Sequence, residues 1–141
     1  MGKAVEFTVL GEPKGKARPR FNTKTGHAIT PEDTANYETL VKWEYARQCA
    51  GIRFPDDAML DMRIIAYYGI PKSKSNKVKM KMAMHEIRPT KKPDMDNVVK
   101  IIADALNNVA YRDDTQIVDV QCRKYYSEKP RVQITIREAS K

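Results

Sequence analysis

Two aspartates stand two residues apart just before a strongly amphipathic stretch, in the segment Lys91-Lys-Pro-Asp-Met-Asp-Asn97. In extended chain that precedes a helix, residues i and i+2 point to the same side, so Asp94 and Asp96 can converge on one point. Carboxylate oxygens suit Mg²⁺, which takes one or two carboxylates and keeps its other positions for water and phosphate oxygens. The spacing, with basic residues beside it, is typical of a Mg²⁺ site that handles phosphate.

Two further groups could join this pair of aspartates. Lys100 follows Asp96 by four residues and so lies on the same helix face, where it could hold a phosphate or offset charge that develops on it. Asp113 and Asp114 come after the helix and before a strand, so the return loop could bring another carboxylate to the pair. Three acids and a lysine would then surround a metal ion.

Each of these residues also has a purely structural interpretation. Asp94 or Asp96 would make a good helix N-cap, and an acid in the first turn favours the helix dipole. Lys100 and Asp104 could form an ordinary exposed pair on a helix, and 113–114 could simply be a turn. The spacing alone therefore leaves both the metal site and the structural interpretation open.

The periodicity of apolar residues predicts the elements that must position these side chains. Alternation with period 2 indicates strands, and spacings of three and four indicate helices. Segment 11–20 holds two glycines, two prolines and four basic residues, so we expect an extended loop there. The predicted elements are a strand at about 4–10, a helix at about 31–50, a strand at about 58–69, a basic helix at about 72–86, a helix at about 95–109 and strands at about 117–126 and 131–137.

These elements predict one small α+β domain over residues 1–141, with a mixed sheet packed by helices in the order β-α-β-α-α-β-β. The clearest helix, 95–109, carries its apolar residues on one side and should pack on the sheet. The last two strands are separated by Ser127-Glu-Lys-Pro130, a connection of hairpin length. We therefore expect those two strands to pair antiparallel.

Composition excludes several classes of protein. Apolar residues make up 41% of the chain and charged residues 31%, a balance that fits a soluble globule rather than a disordered chain. No apolar run approaches the roughly 20 residues of a membrane span, and the N-terminus lacks the apolar segment of a secretory signal. The two cysteines, Cys49 and Cys122, lack the spacing of a zinc site and should be buried free thiols. We expect a cytoplasmic protein with no membrane contact.

The net charge of +8 is concentrated in two segments. Residues 1–31 carry six basic and two acidic side chains, and residues 70–93 carry eight and one. Such blocks suit a phosphate backbone, because each bound Lys or Arg releases counterions, although a solvated surface would have the same composition. The candidate DNA-binding residues are Lys14, Lys16, Arg18, Arg20, Lys72, Lys74, Lys91 and Lys92.

The segment Asp94-Met-Asp-Asn-Val-Val-Lys100, followed by Asp104-Ala-Leu and Asp113-Asp-Thr-Gln-Ile-Val-Asp119, resembles the signature of the RusA family of Holliday junction resolvases. The resemblance covers most of residues 88–137 in residue type and spacing. The loop Pro13-Lys-Gly-Lys-Ala-Arg-Pro-Arg20 is similar to the basic N-terminal segment of phage-type members. Residues 32–85 match in element order alone.

The resemblance implies a homodimeric, Mg²⁺-dependent endonuclease, in many cases prophage-encoded, that cuts four-way DNA junctions by paired symmetric nicks in recombination and repair. The metal-binding carboxylates of the family fall on Asp94, Asp96 and Asp114, and its essential lysine falls on Lys100. These four are the candidate catalytic residues. Asp113 adjoins Asp114, and the family pattern favours Asp114.

Two other functions could use the same residues. Glycosyltransferases also bind Mg²⁺ through Asp-X-Asp, but they are usually much longer and need a nucleotide-binding sheet that this element order does not supply. A non-catalytic basic DNA-junction-binding module, in which the acids only cap and turn, stays as the alternative. His27 and His85 lack a partner pattern and suit surface or phosphate contacts rather than catalysis.

A junction with approximate two-fold symmetry that receives paired cuts implies two active sites related by a dimer axis. We therefore expect a homodimer. Its interface could use Trp43 of the first helix or the methionines at 80, 82 and 84, but core packing is the expected fate of each of these side chains.

Overall fold

A computed structural model of the chain describes residues 3–16, 20–21, 28–29 and 32–140. Apart from two short strands, β2 and β3, the elements follow the predicted order β-α-β-α-α-β-β. The strands are β1 (Ala4–Leu10), β2 (Arg20–Phe21), β3 (Ala28–Ile29), β4 (Leu60–Gly69), β5 (Ile117–Ser127) and β6 (Arg131–Glu138). The helices are α1 (Glu32–Gln48), α2 (Asn76–Ala83) and α3 (Met95–Ala105), and a 3-10 turn (Asp114–Gln116) precedes β5.

The main sheet has four strands in the order β1-β6-β4-β5. Strand β6 is antiparallel to both β1 and β4, whereas β4 and β5 are parallel. The sheet is therefore mixed, as predicted, but the expected β5–β6 hairpin is wrong because β4 lies between them. Residues 128–130 pass the end of β4, where Ile70 N donates to Ser127 O at 3.2 Å. This arrangement satisfies the backbone groups of β4 on both of its edges.

Helices α1 and α3 pack together on one face of the sheet. Strand β4 alternates from Met62 onward, burying its even-numbered residues beneath them and leaving Arg63 exposed and Tyr67 half-buried on the other face. At the start of the strand Leu60 and Asp61 are both buried. The predicted apolar side of α3 is confirmed, since Val98 and Ile102 have no exposed surface. We call the side away from α1 and α3 the open face of the sheet.

Several boundaries are narrower than the periodicity indicated. Helix α2 begins at Asn76, where Ser75 accepts a hydrogen bond from Val78 N, and it ends at Ala83 because His85 has a positive φ of 66°. Helix α3 ends at Ala105 and the chain then turns, with Asn108 at φ 62°. The predicted loop at 11–20 also contributes Arg20 to the short β2–β3 pair.

The expectation that the aromatic and methionine side chains would pack in the core is wrong for three of four. Met82 is 4% exposed, whereas Met80, Met84 and Trp43 are 64%, 63% and 72% exposed. A shift of two residues rotates a side chain by about 200° around a helix, so the neighbours of a buried Met82 point outward. Trp43 is likewise two residues from the buried Val41 on α1.

Both cysteines are free thiols, as predicted, with Cys49 buried and Cys122 partly buried. Burial raises the pKa of the Cys122 thiol to about 11, so it stays protonated at neutral pH. Within the described ranges, no helix is both long and apolar enough to cross a membrane.

Two buried tyrosines differ in the hydrogen bonding of their hydroxyl groups. Tyr111 donates its hydroxyl to Ala103 O at 2.7 Å, whereas the buried hydroxyl of Tyr37 has no hydrogen-bond partner among the described residues. We expect Tyr111→Phe to lower the free energy of unfolding by about 1 kcal/mol, because a carbonyl loses its partner. Tyr37→Phe should leave it unchanged or raise it. Urea denaturation measures both, and equal losses in the two variants would contradict the assignment.

Candidate active site

Asp94 stands at the N-cap position of α3 but does not cap the helix. Its backbone is extended (φ −72°, ψ 160°), and its side chain makes no hydrogen bond to the first helical N–H groups. Its Oδ1 instead accepts a hydrogen bond from Asn97 Nδ2 at 2.8 Å. Asp96 lies in the first helical turn. The capping interpretation therefore does not explain the Asp94 side chain, which remains available to a ligand.

The side chains of Asp94 and Asp96 interact, although Asp96 lies in the first turn of α3 and not in the extended chain from which the spacing argument began. A hydrogen bond with Asp96 is the main cause that holds the pKa of Asp94 below its usual range, and backbone and Asn97 donors and the positive charge of Lys124 act in the same direction. The Asp94 carboxylate is thus ionised at neutral pH and touches a second carboxyl group. Lys100 is exposed one turn further along α3 and forms no ion pair within the described part of the chain.

Two contacts fix where α3 begins. The Tyr68 hydroxyl, at the end of β4, donates to Pro93 O immediately before Asp94. On the other side, Lys16 N donates to Asn97 O at 3.1 Å, so the basic loop lies against the helix. A Cβ at Gly15 would come within 2.8 Å of Pro93 Cβ, closer than real Cβ contacts allow. Glycine at this position therefore lets the loop approach the site.

Lys16 faces inward between two helices rather than outward. Its Nζ lies 3.0 Å from Glu38 Oε1 on α1 and 3.4 Å from Asp104 Oδ2 on α3, and its side chain is 20% exposed. Burial would lower the pKa of Lys16, but the hydrogen bond and charge of Glu38, followed by those of Asp104, outweigh it and raise the pKa. Lys16 therefore stays charged and neutralises acids that would otherwise repel each other.

Asp114 lies at the opposite end of α3, beside Asp104. Its backbone N donates to Asn107 Oδ1 at 2.8 Å, which fastens the turn to the end of the helix. Burial, then a hydrogen bond to Asp104 and the negative charges of Asp113 and Asp104, raise the pKa of Asp114. This is the environment of a carboxylate placed where a cation would lower its energy.

Asp113 is occupied locally. Its Oδ2 accepts a hydrogen bond from Thr115 Oγ1 at 2.6 Å, and this bond is the main cause that lowers the pKa of Asp113. The side chain of Gln116 reaches back to the backbone N of Asp113 at 3.2 Å and completes the capping box of the 3-10 turn. The two neighbouring aspartates thus differ: one caps a turn, and Asp114 faces another acid.

The two acidic pairs, Asp94–Asp96 and Asp104–Asp114, lie at opposite ends of α3. Eight residues of helix separate Asp96 from Asp104, a rise of about 12 Å, with Lys100 between them on the same face. Among the residues that the structure describes, no group of three or more His, Cys, Asp or Glu side chains is arranged to hold a metal ion. The structure thus joins the first two predicted ligands and leaves Asp114 with Asp104.

The predicted basic residues are distributed unevenly around these acids. Lys91 is exposed, and its Nζ lies 5.8 Å from the centroid of the Tyr126 ring. Arg18 lies outside the described residues, and the side chain of Arg20 is not described. The remaining candidates are exposed: Lys14, Lys72, Lys74 and Lys92.

Sequence reasoning missed two residues beside the acids. Lys124 Nζ donates to Lys91 O at 2.8 Å and lies 4.9 Å from the centroid of the Tyr68 ring, close enough to Asp94 to influence its pKa. Only the parallel register of β4 and β5, which pairs Ala66 with Lys124, places it there. Asp104 was visible as a residue four positions after Lys100, but the pattern also fitted a surface helix.

Comparison with known proteins identifies the family of this chain. A family model described as Endodeoxyribonuclease RusA matches residues 11–137, nearly the whole chain. The chain belongs to the RusA endodeoxyribonuclease family. A relative from Bacillus subtilis (strain 168), named uncharacterized protein YqaN, is 38% identical over 140 residues, which cover 96% of this chain and 97% of the relative. The family resemblance inferred from the sequence is confirmed.

In a RusA-family nuclease, the two ends of α3 can take different parts in the chemistry. The Asp94–Asp96 pair supplies hard oxygen ligands, and the positive charge of Lys124 acts on Asp94. Such a combination suits a divalent cation together with the phosphate that it binds. The Asp104–Asp114 pair has an excess of negative charge that Lys16 offsets in part.

The charge around Asp114 predicts a stability effect in the absence of divalent metal. Because the pKa of Asp114 is raised, the folded chain binds its proton more tightly than the unfolded chain, and stability falls as pH rises through that range. At neutral pH the ionised group therefore costs stability. We expect Asp114→Asn to raise the free energy of unfolding by roughly 0.5 kcal/mol in EDTA, a gain that disappears in mild acid.

Urea denaturation at two pH values measures this change. Asp119→Asn, at an exposed position of β5, is the matched control and should leave stability unchanged. A loss of stability in Asp114→Asn at neutral pH would contradict the charge assignment.

Proposed function

We propose that this RusA-family chain is a Mg²⁺-dependent endonuclease that resolves four-way DNA junctions by paired, symmetric nicks and so acts in recombination and repair. The observation that carries the proposal is the contact between Asp94 and Asp96 at an uncapped helix N-terminus, inside the part of the chain that matches the family. The two acidic pairs flank Lys100 on a helix whose position is fixed from both sides.

The donor set fits Mg²⁺, since carboxylate oxygens are the ligands that this ion prefers. In the proposed site, Asp94, Asp96 and Asp114 hold the ion. Bound metal lowers the pKa of a water, orients the phosphate and offsets its charge. Lys100 stabilises the negative charge that develops on the scissile phosphate. Asn97, by donating to Asp94 Oδ1, keeps that carboxylate turned toward its partner.

The distance between the acidic pairs bears on the proposed homodimer. The rise of about 12 Å along α3 separates Asp96 from Asp104, the residue with which Asp114 interacts. A two-fold axis that sets two α3 helices antiparallel would bring the Asp104–Asp114 end of one copy to the Asp94–Asp96 end of the other. We propose that each metal site is shared in this way, so that paired nicks and dimerisation have one cause.

The first test is cleavage of a synthetic four-way junction beside linear duplex, in Mg²⁺ and in EDTA. We expect paired, Mg²⁺-dependent nicking of the junction. Asp96→Asn should reduce the nicking rate ~100-fold or more, because the variant lacks a ligand of the metal ion that would offset charge on the phosphate. Asp57→Asn, at an exposed carboxylate in the turn before β4, is the matched control and should keep full activity.

Binding of the junction without any cutting by the wild type would overturn the nuclease proposal. It would leave the alternative, a basic junction-binding module whose aspartates are structural. Mg²⁺ should also raise the melting temperature of the wild type but not of Asp96→Asn, since a ligand stabilises the state that binds it.

Mixing inactive variants tests the shared site. A dimer of one Asp96→Asn and one Asp114→Asn subunit would contain one intact site and one doubly altered site. Random exchange of subunits should therefore restore about a quarter of the wild-type nicking rate, seen as single nicks. Mixing Asp94→Asn with Asp96→Asn is the control and should restore nothing. An inactive first mixture would show that Asp114 acts within its own chain.

A further inference from the structure

The open face of the sheet carries a cluster of tyrosines and arginines at the ends of β4 and β5. Tyr67 and Tyr125 are register partners on these parallel strands, and their ring centroids lie 6.1 Å apart. The guanidinium carbon of Arg131 lies 4.0 Å from the Tyr67 centroid, and that of Arg88 lies 4.5 Å from the Tyr125 centroid. We call these four residues the aromatic–arginine cluster.

Neither arginine of the cluster is neutralised. Within the described ranges, neither Arg88 nor Arg131 forms an ion pair with a carboxylate. Arg131 Nη1 donates to Lys129 O at 2.8 Å and Ser127 Oγ at 3.2 Å, and Arg88 Nε donates to Lys124 O at 3.0 Å. Each guanidinium is thus held over a ring by hydrogen bonds from one of its nitrogens. Within the described residues, its other N–H groups have no hydrogen-bond acceptor assigned. Such preorganisation favours binding.

The surroundings of the cluster favour an anion. A cleft of about 490 Å³ opens beside Tyr67 and Arg131, and its lining includes His85, Lys129 and a single carboxylate, that of Glu128. His85 also contacts Tyr125, with ring centroids 4.3 Å apart. Arginine presents parallel N–H donors that match two phosphate oxygens, so phosphate is the anion that this geometry fits best.

The segment from Arg88 to Asp94 connects the cluster to the acidic pair. Tyr125 and Tyr126 are consecutive in β5 and point to opposite faces of the sheet. Arg88 lies over the first ring and Lys91 near the second, so the chain passes around the edge of β5 from the open face to the face of α3. The six steps of chain from Arg88 to Asp94 span at most about 21 Å. Measured along the axis of B-form DNA, that length corresponds to roughly six phosphates of one strand.

We propose that the aromatic–arginine cluster is a second DNA-backbone site, which holds phosphates of the junction arm next to the strand cut at Asp94–Asp96. The proposal rests on the proposed function, because the nick at the acidic pair defines which arm reaches the cluster. In this proposal the strand contacts Arg131 and Arg88 on the open face. It then passes the sheet edge toward Lys124 and Lys91, which lie over Tyr68 and Tyr126. Arg88 belongs to the basic segment 70–93, but the sequence did not indicate the other three residues of the cluster.

The test is binding of a fluorescently labelled four-way junction in EDTA, measured by anisotropy over a range of salt concentrations. For the double variant Arg88→Gln/Arg131→Gln we expect affinity to fall about tenfold or more and the log–log salt slope to become shallower by about 1.8, since each lost phosphate contact removes about 0.9. Nicking at saturating enzyme in Mg²⁺ should persist, because the acidic pair is unaltered.

The matched control removes the same charge elsewhere. Arg47 and Arg53 are each paired with an acid close in sequence, Glu44 and Asp56. Arg47→Gln/Arg53→Gln should change affinity less than about twofold, because those arginines make no phosphate contact. Equal effects of the two double variants would mean that only net charge matters and would overturn the proposed site.

Two further variants separate charge from geometry. Arg88→Lys/Arg131→Lys keeps both charges but loses the planar fork, so binding should weaken while the salt slope stays near that of the wild type. Tyr125→Leu should weaken binding several-fold by removing the ring beneath Arg88, whereas Tyr125→Phe should not. If the arginine variants and Tyr125→Leu all bound the junction as tightly as the wild type, with nicking intact, the proposed DNA-backbone site would be refuted and the nuclease proposal would stand. Absence of Mg²⁺-dependent nicking in the wild type would instead refute the nuclease proposal.

Discussion

The position of β4 between β5 and β6 is the constraint on which the rest of the structure depends. Its backbone is hydrogen-bonded along both edges, and one of its faces is buried under α1 and α3. Tyr68, at the end of that buried face, donates its hydroxyl to the carbonyl of Pro93 and so fixes the start of α3. The first aspartate of the candidate site is the next residue. The location of the acidic pair therefore follows from the packing of one central strand.

Charge along α3 is arranged at some expense to stability. The raised pKa of Asp114 and its contact with Asp104 show that like charges are held together at one end. The partly buried Lys16 offsets part of that repulsion and at the same time ties α1 and the basic loop to α3. Such tension between charge and stability is typical of sites built for a cationic ligand, whose binding removes the repulsion.

Local pattern accounts for most of the elements and for the acidic pair. The apolar spacing in 95–109 identified α3. The i, i+2 spacing drew attention to Asp94 and Asp96, although Asp96 lies in the helix and not in extended chain. Strand order was beyond this reasoning, because a three-residue connection fits a hairpin as well as a step past β4, and only long-range pairing selects between them. For the same reason the sequence did not predict the contacts of Lys124, Tyr67 and Arg131, because these contacts depend on the register between strands.

Strand β6 is bonded on both sides, to β1 near the N-terminus and to β4 in the middle of the chain. During synthesis on the ribosome, β1 thus has no partner strand in the main sheet until residues 131–138 have been made. Contacts between such distant segments slow folding, because loop entropy must be lost before pairing compensates for it. The main sheet, with β4 hydrogen-bonded on both edges, is therefore complete only after the last of its strands has been synthesised.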